Sequence, residues 1–160
     1  MLKRFSYSVG ERKAAFTLVE VLLVVALLAI LAMVTIVAIN PSKHLTKSRD
    51  SGRITDVYSI LSAVHQYSLD NDGVFPEVIT LDEQEICSTG SIDCAGMADL
   101  SVLTSGAEYM ESMPIDPSCK AIQTICTEFG TGYSIKTESN GKVTVSALHP
   151  EVEDSISVTR

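Results

Sequence analysis

From Val21 to Ile39 the chain runs 19 residues with one polar interruption, Thr35. At about 1.5 Å per residue, a helix of that length just crosses the hydrocarbon core of a bilayer. The other residues are polar and rich in Gly, Ser and Thr, the composition of a water-facing domain. The pattern therefore implies a membrane-inserted segment carrying a soluble head.

Charge sharpens this division. Of the net −8, residues 1–15 hold Lys3, Arg4, Arg12 and Lys13 against Glu11; that local +3 leaves −11 on the remainder. An acidic head argues against direct nucleic-acid binding, which needs a basic patch. Four basic residues precede the apolar run and four follow it closely (Lys43, Lys47, Arg49, Arg53), so charge alone leaves the orientation undecided.

All four cysteines (Cys87, Cys94, Cys119, Cys126) lie in the head, as two pairs of identical spacing. Zinc sites usually show a tighter C-x-x-C spacing, and His44, His65 and His149 fall nowhere near these cysteines. An even number in a small loop-rich head reads as disulfides in an oxidising compartment, with buried free thiols as the alternative. Three connectivities are possible, and local pairing, Cys87–Cys94 with Cys119–Cys126, is the expected one.

Along the chain, Asn40-Pro41-Ser42 interrupts the apolar pattern. Pro41 either kinks a continuous helix or begins a new one with Asn40 as N-cap. A second helical pattern follows, with Ile54, Val57, Tyr58, Leu61, Val64 and His65 as its packing face. Lys47, Arg49, Asp50, Arg53, Asp56 and Gln66 read as the opposite, solvated face. Tyr58 and Tyr67 are expected to pack on the head. The pattern stops at Asp70-Asn71-Asp72-Gly73, which reads as a helix-ending turn rather than a calcium loop. If the two helical stretches join, 16–69 spans roughly 80 Å, too long for the inside of a small domain.

Val78-Ile79-Thr80-Leu81 reads as a short strand, Cys87 to Cys94 as a loop, and Leu100, Leu103 and Met110 as a helical turn or two. Tyr133–Thr137 and Val143–Ala147 alternate around Ser139-Asn140-Gly141, a hairpin signal whose apolar face is Tyr133, Ile135, Val143 and Val145. The expected fold class is α+β, with a long N-terminal helix packed on a small C-terminal antiparallel sheet. The helix is hydrophobic in its first half and amphipathic in its second. No Ser/His/Asp or Cys/His arrangement and no Gly-rich loop after a strand suggests catalysis, so neither enzymatic activity nor a cofactor is expected.

Ahead of the apolar run stands Ala14-Ala15-Phe16-Thr17-Leu18-Val19-Glu20. A secretory signal would place its cleavage site after the run, whereas here the small residues precede it. A basic leader, a small residue, Phe16, the Thr17-Leu18 pair and Glu20 abutting the run resemble the signal of type IV pilins and pseudopilins. The resemblance covers residues 10–40. It implies cleavage between Ala15 and Phe16 by a prepilin peptidase on the cytoplasmic face, N-methylation of Phe16, and assembly through Phe16 and Glu20.

The implied organisation is a leader at 1–15, a transmembrane and filament-core helix at 16–40, and an amphipathic helix with globular head at 41–160. The implied function is that of a structural subunit in a type IV pilus-like filament, a helical homopolymer. A pseudopilin of a secretion or competence system and a monomeric membrane-anchored binding module are the alternatives. The implied partners are further copies of itself, the peptidase, an inner-membrane assembly platform, and lipid before assembly. The implied location is the inner membrane, then the cell surface.

Two departures from the family pattern stand out. The residue before the cut is usually glycine and here is Ala15. Where relatives commonly carry a helix-breaking proline this chain has Val37, its proline coming later at Pro41. Pro114-Ile115-Asp116-Pro117 resembles a segment that binds calcium in some pseudopilins, and Cys119 and Cys126 in the following loop suggest a disulfide in place of the metal.

The logic of Glu20 also stands on physics. A carboxylate buried among packed apolar helices is tolerated only if paired. The cleaved chain offers the Phe16 amine, protonated near neutral pH. Pairing with a neighbouring subunit's amine would set axial register, as a buried polar contact does in a coiled coil.

Overall fold

A computed structural model of the chain describes residues 16–39, 41–121 and 125–160. The chain divides into two units, Met1–Pro41 and Ser42–Arg160. In the first unit the described structure is dominated by helix α1, Leu18–Ile39. Its residues are apolar on every side, and the large ones are all exposed where their side chains are described. The one polar interruption is satisfied within the helix, the Thr35 hydroxyl donating to the Ala32 carbonyl at 2.8 Å. A span with its side-chain and backbone donors met internally can sit in lipid.

The second unit is α+β. Helix α2, Pro41–Asp70, begins at the expected proline; Asn40 lies outside the described residues. Strands β1 (Gln84–Cys87), β2 (Gly130–Thr137), β3 (Val143–Ala147) and β4 (Ile156–Thr159) form one antiparallel sheet in that order. Between β1 and β2 lie two short helices, α3 (Ser101–Thr104) and α4 (Pro117–Ala121). A single 3-10 turn, Ser105–Ala107, follows α3.

The hairpin at Ser139-Asn140-Gly141 is present, with Ile135 opposite Val145 and Thr137 opposite Val143. Tyr133, Ile135, Val143 and Val145 are buried, joining Val57, Ile60, Leu61 and Val64 of α2 in one apolar cluster. Each such large aliphatic side chain contributes about 1.5–3 kcal/mol on burial. The helix ends as expected: Asp72 and Gly73 take left-handed φ, and the Gly73 amide donates to the Ser68 carbonyl at 2.7 Å.

Three expectations are corrected. Val78–Leu81 forms no strand; Ile79 is buried from an irregular segment, its amide donating to Pro76. Of the expected packing face, Ile54 is exposed, and Tyr58 is 57% exposed and does not pack on the head, whereas Tyr67 does, edge to face with Tyr109 at 5.7 Å. Asp50 and Arg53, assigned to the solvated face of α2, are among the most buried residues of the chain.

At Gly132 the strand backbone comes close against the Cys119–Cys126 bridge. Its φ is +79°, and a Cβ there would lie 2.6 Å from Cys119 Sγ and 2.7 Å from Asp116 Cβ. Gly141 has nearly the same φ with open space around it. Gly132→Ala should therefore cost about 3 kcal/mol and Gly141→Ala about 1–2 kcal/mol. Urea unfolding of the full chain in detergent checks this through tyrosine near-ultraviolet circular dichroism. Equal losses at the two sites would contradict the packing argument.

Candidate functional site

Two places on the chain carry chemistry, and each is described within its own unit. At the start of the first, Phe16 precedes α1 and is 79% exposed. Thr17 caps the helix: its Oγ1 accepts the Glu20 amide at 3.2 Å, and its carbonyl accepts the Val21 amide at 3.2 Å. Glu20 is thus the third residue of α1, where unpaired backbone amides and the helix dipole favour an anion. Thr17-x-x-Glu20 is the spacing of a capping box, a signal that could have been read from the sequence and was not. Glu20 stands one helical turn from Phe16. Ala15, the expected residue before the cut, lies outside the described residues.

In the head, both cysteine pairs are joined locally. Cys87–Cys94 and Cys119–Cys126 have Cα separations of 5.7 and 5.4 Å, within the usual disulfide range. The second begins in α4, whose first residue is Pro117 and whose N-cap is Asp116. One Asp116 oxygen accepts the Ser118 amide at 2.7 Å. Proline at the first helical position after an aspartate is a favoured way to start a helix.

Asp116 has a second role that sequence reasoning missed. Arg53 of α2, wholly buried, meets it with both ends of its fork: Nε to Oδ2 at 2.7 Å and Nη2 to Oδ1 at 2.9 Å. The same guanidinium donates to Asp50 Oδ1 at 2.6 Å, Ser118 Oγ at 2.6 Å and Glu151 Oε1 at 3.0 Å. Asp50 in turn accepts the amides of Glu151, Val152 and Glu153, the closest at 2.7 Å. Arg49 holds Glu151 from the outer side, its Nε donating at 2.6 Å. The Asp116 carboxylate of Pro114-Ile115-Asp116-Pro117 is therefore committed to an internal cation, with the Cys119–Cys126 bridge beside it.

These contacts fix the titration of the cluster. The hydrogen bond from Arg49, with help from Arg53, pulls the Glu151 carboxyl down to about 2 despite partial burial. Burial pushes Asp50 upward, but three backbone amides and Arg53 outweigh it and its pKa is lowered. Asp116 and the other carboxylates hold the Arg53 guanidinium above its ordinary value. Nearby, the Tyr133 hydroxyl donates to Asp56 Oδ2 at 2.6 Å; burial first, and Asp56 second, raise its pKa. The charged residues of α2 between Lys47 and Asp70, namely Arg49, Asp50, Arg53 and Asp56, are thus all engaged inside the head.

With this geometry in place, comparison with known families is specific. Residues 11–36 match the family described as the prokaryotic N-terminal methylation motif. That is the signal of type IV pilins and pseudopilins. The match runs from Glu11 into α1 and leaves the head unmatched. No curated protein and no solved structure matches the chain. The motif supports a type IV pilin-like or pseudopilin-type protein, a structural class that is normally non-enzymatic. With the apolar helix Leu18–Ala38, long enough to cross a bilayer, it is consistent with a membrane-anchored precursor.

Arg53→Met should destabilise the head by about 3–5 kcal/mol, because Asp50 and Asp116 would stay buried without their cation. Denaturant unfolding checks it, and a loss below 1 kcal/mol would contradict the clamp. The acid dependence has a definite sign. Lowered carboxyl pKa values give stability that is complete above the ordinary carboxylate range. It is lost as pH falls from about 4 to about 2. An acid titration should show a flat profile from neutral pH to about 5, then a decline that Glu151→Gln makes shallower.

Proposed function

We propose that the chain is the structural subunit of a type IV pilus-like filament, cut between Ala15 and Phe16, N-methylated at Phe16 and polymerised through α1. The observation that carries this reading is the methylation motif set directly against a helix whose large side chains are apolar and exposed on every side. Such a helix needs lipid or other helices around it. Lipid serves the precursor, and α1 of neighbouring copies serves the filament. Since lipid already shelters those side chains, close packing and the Glu20 pairing drive the transfer.

The outward face of α2 supports assembly over a monomeric anchored module. Ser48, Ser51, Thr55, Ser59 and Ser62 are exposed there, and Gly52 is half-buried among them. A solvated helix face ordinarily carries lysines and glutamates; small uncharged residues allow close approach of another backbone.

In the filament, Glu20 of one copy accepts the Phe16 ammonium of its neighbour. The peptidase and an inner-membrane assembly platform act on the precursor, and the acidic, disulfide-stapled head faces outward at the cell surface. The alternative, a pseudopilin of a secretion or competence system, is favoured by the resemblance of the Pro114-Ile115-Asp116-Pro117 segment to that group. The abundance of surface fibres separates the two.

Intact-mass and N-terminal analysis of material sheared from cells should give a chain starting at methylated Phe16. A Met1 start found only in membranes would overturn the proposal. Glu20→Ala should be cut and inserted normally yet yield about tenfold less sheared filament, equivalent to about 1.4 kcal/mol per contact. Undiminished yield would remove Glu20 from the assembly mechanism.

A further inference from the structure

Helix α2 carries charge at both ends that its own head does not answer. Lys43 and Lys47 lie one turn apart near its start, both exposed. The ion pairs among the described residues involve Arg49 and Arg53 and leave these two lysines without a carboxylate. Like charges four residues apart on a helix repel. Ile54 and Tyr58, both exposed, continue the same stripe at steps of seven and four residues.

At the other end Asp70 closes the helix and Asp72 follows, with no basic residue in the last turn. The carbonyl end of a helix dipole favours cations, so these carboxylates stand where a positive charge would be stabilising. Beside them opens a groove of about 580 Å³ whose lining includes Asp70, Asp72, Glu77 and Asp99 and no basic side chain. Val74 and Val102, both exposed, lie in the same groove. Asp70 is hydrogen-bonded by Tyr109 and Asp99 accepts the Ser101 amide at 2.9 Å. Among the described residues Asp72 and Glu77 form no ion pair.

We propose that this groove receives the Lys43–Lys47 stripe of a second copy of the chain, the two heads stacking end to end. The inference rests on the filament reading and names a contact between heads that α1 packing does not supply. The two surfaces match in kind: paired lysines followed by Ile54 and Tyr58 on one, Asp72 and Glu77 flanking Val74 and Val102 on the other. They sit at opposite ends of one helix, about 40 Å apart at 1.5 Å per residue, and so cannot meet within one chain.

Contact between two different patches on identical copies is heterologous, and when related by a translation along the helix it extends without closing. Copies drawn from one membrane share one polarity, which forbids an antiparallel pair that would stop at two, and the stack forms once copies are displaced along the axis of the filament.

The test uses the full-length chain in filament-forming cells, with three variants: Lys43→Glu with Lys47→Glu, Asp72→Asn with Glu77→Lys, and all four together. Asparagine is chosen at position 72 because the backbone there is left-handed, which asparagine tolerates. Yield of sheared filament, cleavage at Phe16 and membrane retention are measured for each. Each pair of changes should lower yield by about fivefold with cleavage and retention unchanged, and the combination, which restores an opposite-charge pair at position 77 alone, should recover part of it.

Unchanged yield in both pairs, beside normal wild-type filaments, overturns the head contact and leaves the filament reading standing. Wild-type chain that is cut but never recovered as filament overturns the filament reading itself. Loss of membrane retention in the lysine pair alone, with no recovery in the combination, assigns Lys43 and Lys47 to anionic lipid and overturns the contact.

Discussion

The head is organised around one buried cation. Arg53 brings a guanidinium with no exposed surface into contact with Asp116, Asp50, Ser118 and Glu151. A buried charge is tolerable only when its donors are met, and here the donors reach four different residues. Three of those residues lie in segments that would otherwise have little to hold them: Asp116 and Ser118 at the start of α4, and Glu151 in the loop before β4. A shape-matched apolar replacement of such a cluster can be as stable. What the charges add is position. An aliphatic side chain would accept several placements of the 148–153 loop, whereas Asp50, taking amides from three consecutive residues, accepts one.

The rest of the sheet end follows from that anchor. Asp116 is pulled onto Arg53 while its amide donates to the Thr131 carbonyl at 2.8 Å, so α4 lies against β2. The Cys119–Cys126 bridge then presses on the strand, and only a residue without a Cβ fits opposite it at Gly132. Glu85 of β1 secures the other side by accepting the Gly132 amide at 2.9 Å. The glycine, the bridge and the ion cluster are consequences of one close approach. The apolar cluster of α2 and the hairpin occupies the adjoining stretch of the same sheet.

Much of this architecture was legible in the chain. Helix α1 follows from an unbroken apolar run, and the β2–β3 hairpin from alternation around Ser139-Asn140-Gly141. Strand β1 was hidden because Gln84-Glu85-Ile86-Cys87 has one strong apolar residue and a register shift between Glu85 and Cys87. Strand β4 did carry a readable alternation, Ile156 with Val158, in only four residues.

The Arg53 cluster escaped because its partners Asp116 and Glu151 lie 63 and 98 residues away in sequence. A trace was present even so. Positions 50, 53, 57, 60 and 64 step by three and four residues, so the buried stripe of α2 is continuous and its first two members are Asp and Arg. Charge was taken as exposure, and periodicity should have overruled it. The motif at the start of α1 was readable because Phe16, Thr17-Leu18 and Glu20 stand in local spacing, within the residues that match the methylation motif.

The two cross-links and the ion cluster differ in reach, and that difference bears on how the head comes into being. Each disulfide joins cysteines seven residues apart, so either can close within its own short segment. Asp50 cannot receive its three amides, nor Arg53 its Glu151 partner, until the segment bearing Glu151–Glu153 is also in place. A head lacking that segment would be covalently stapled yet unlatched at the end of the sheet, with one side of Asp50 still wet. Completion of the head is thereby written into its tertiary structure, because the 151–153 segment seals its first helix.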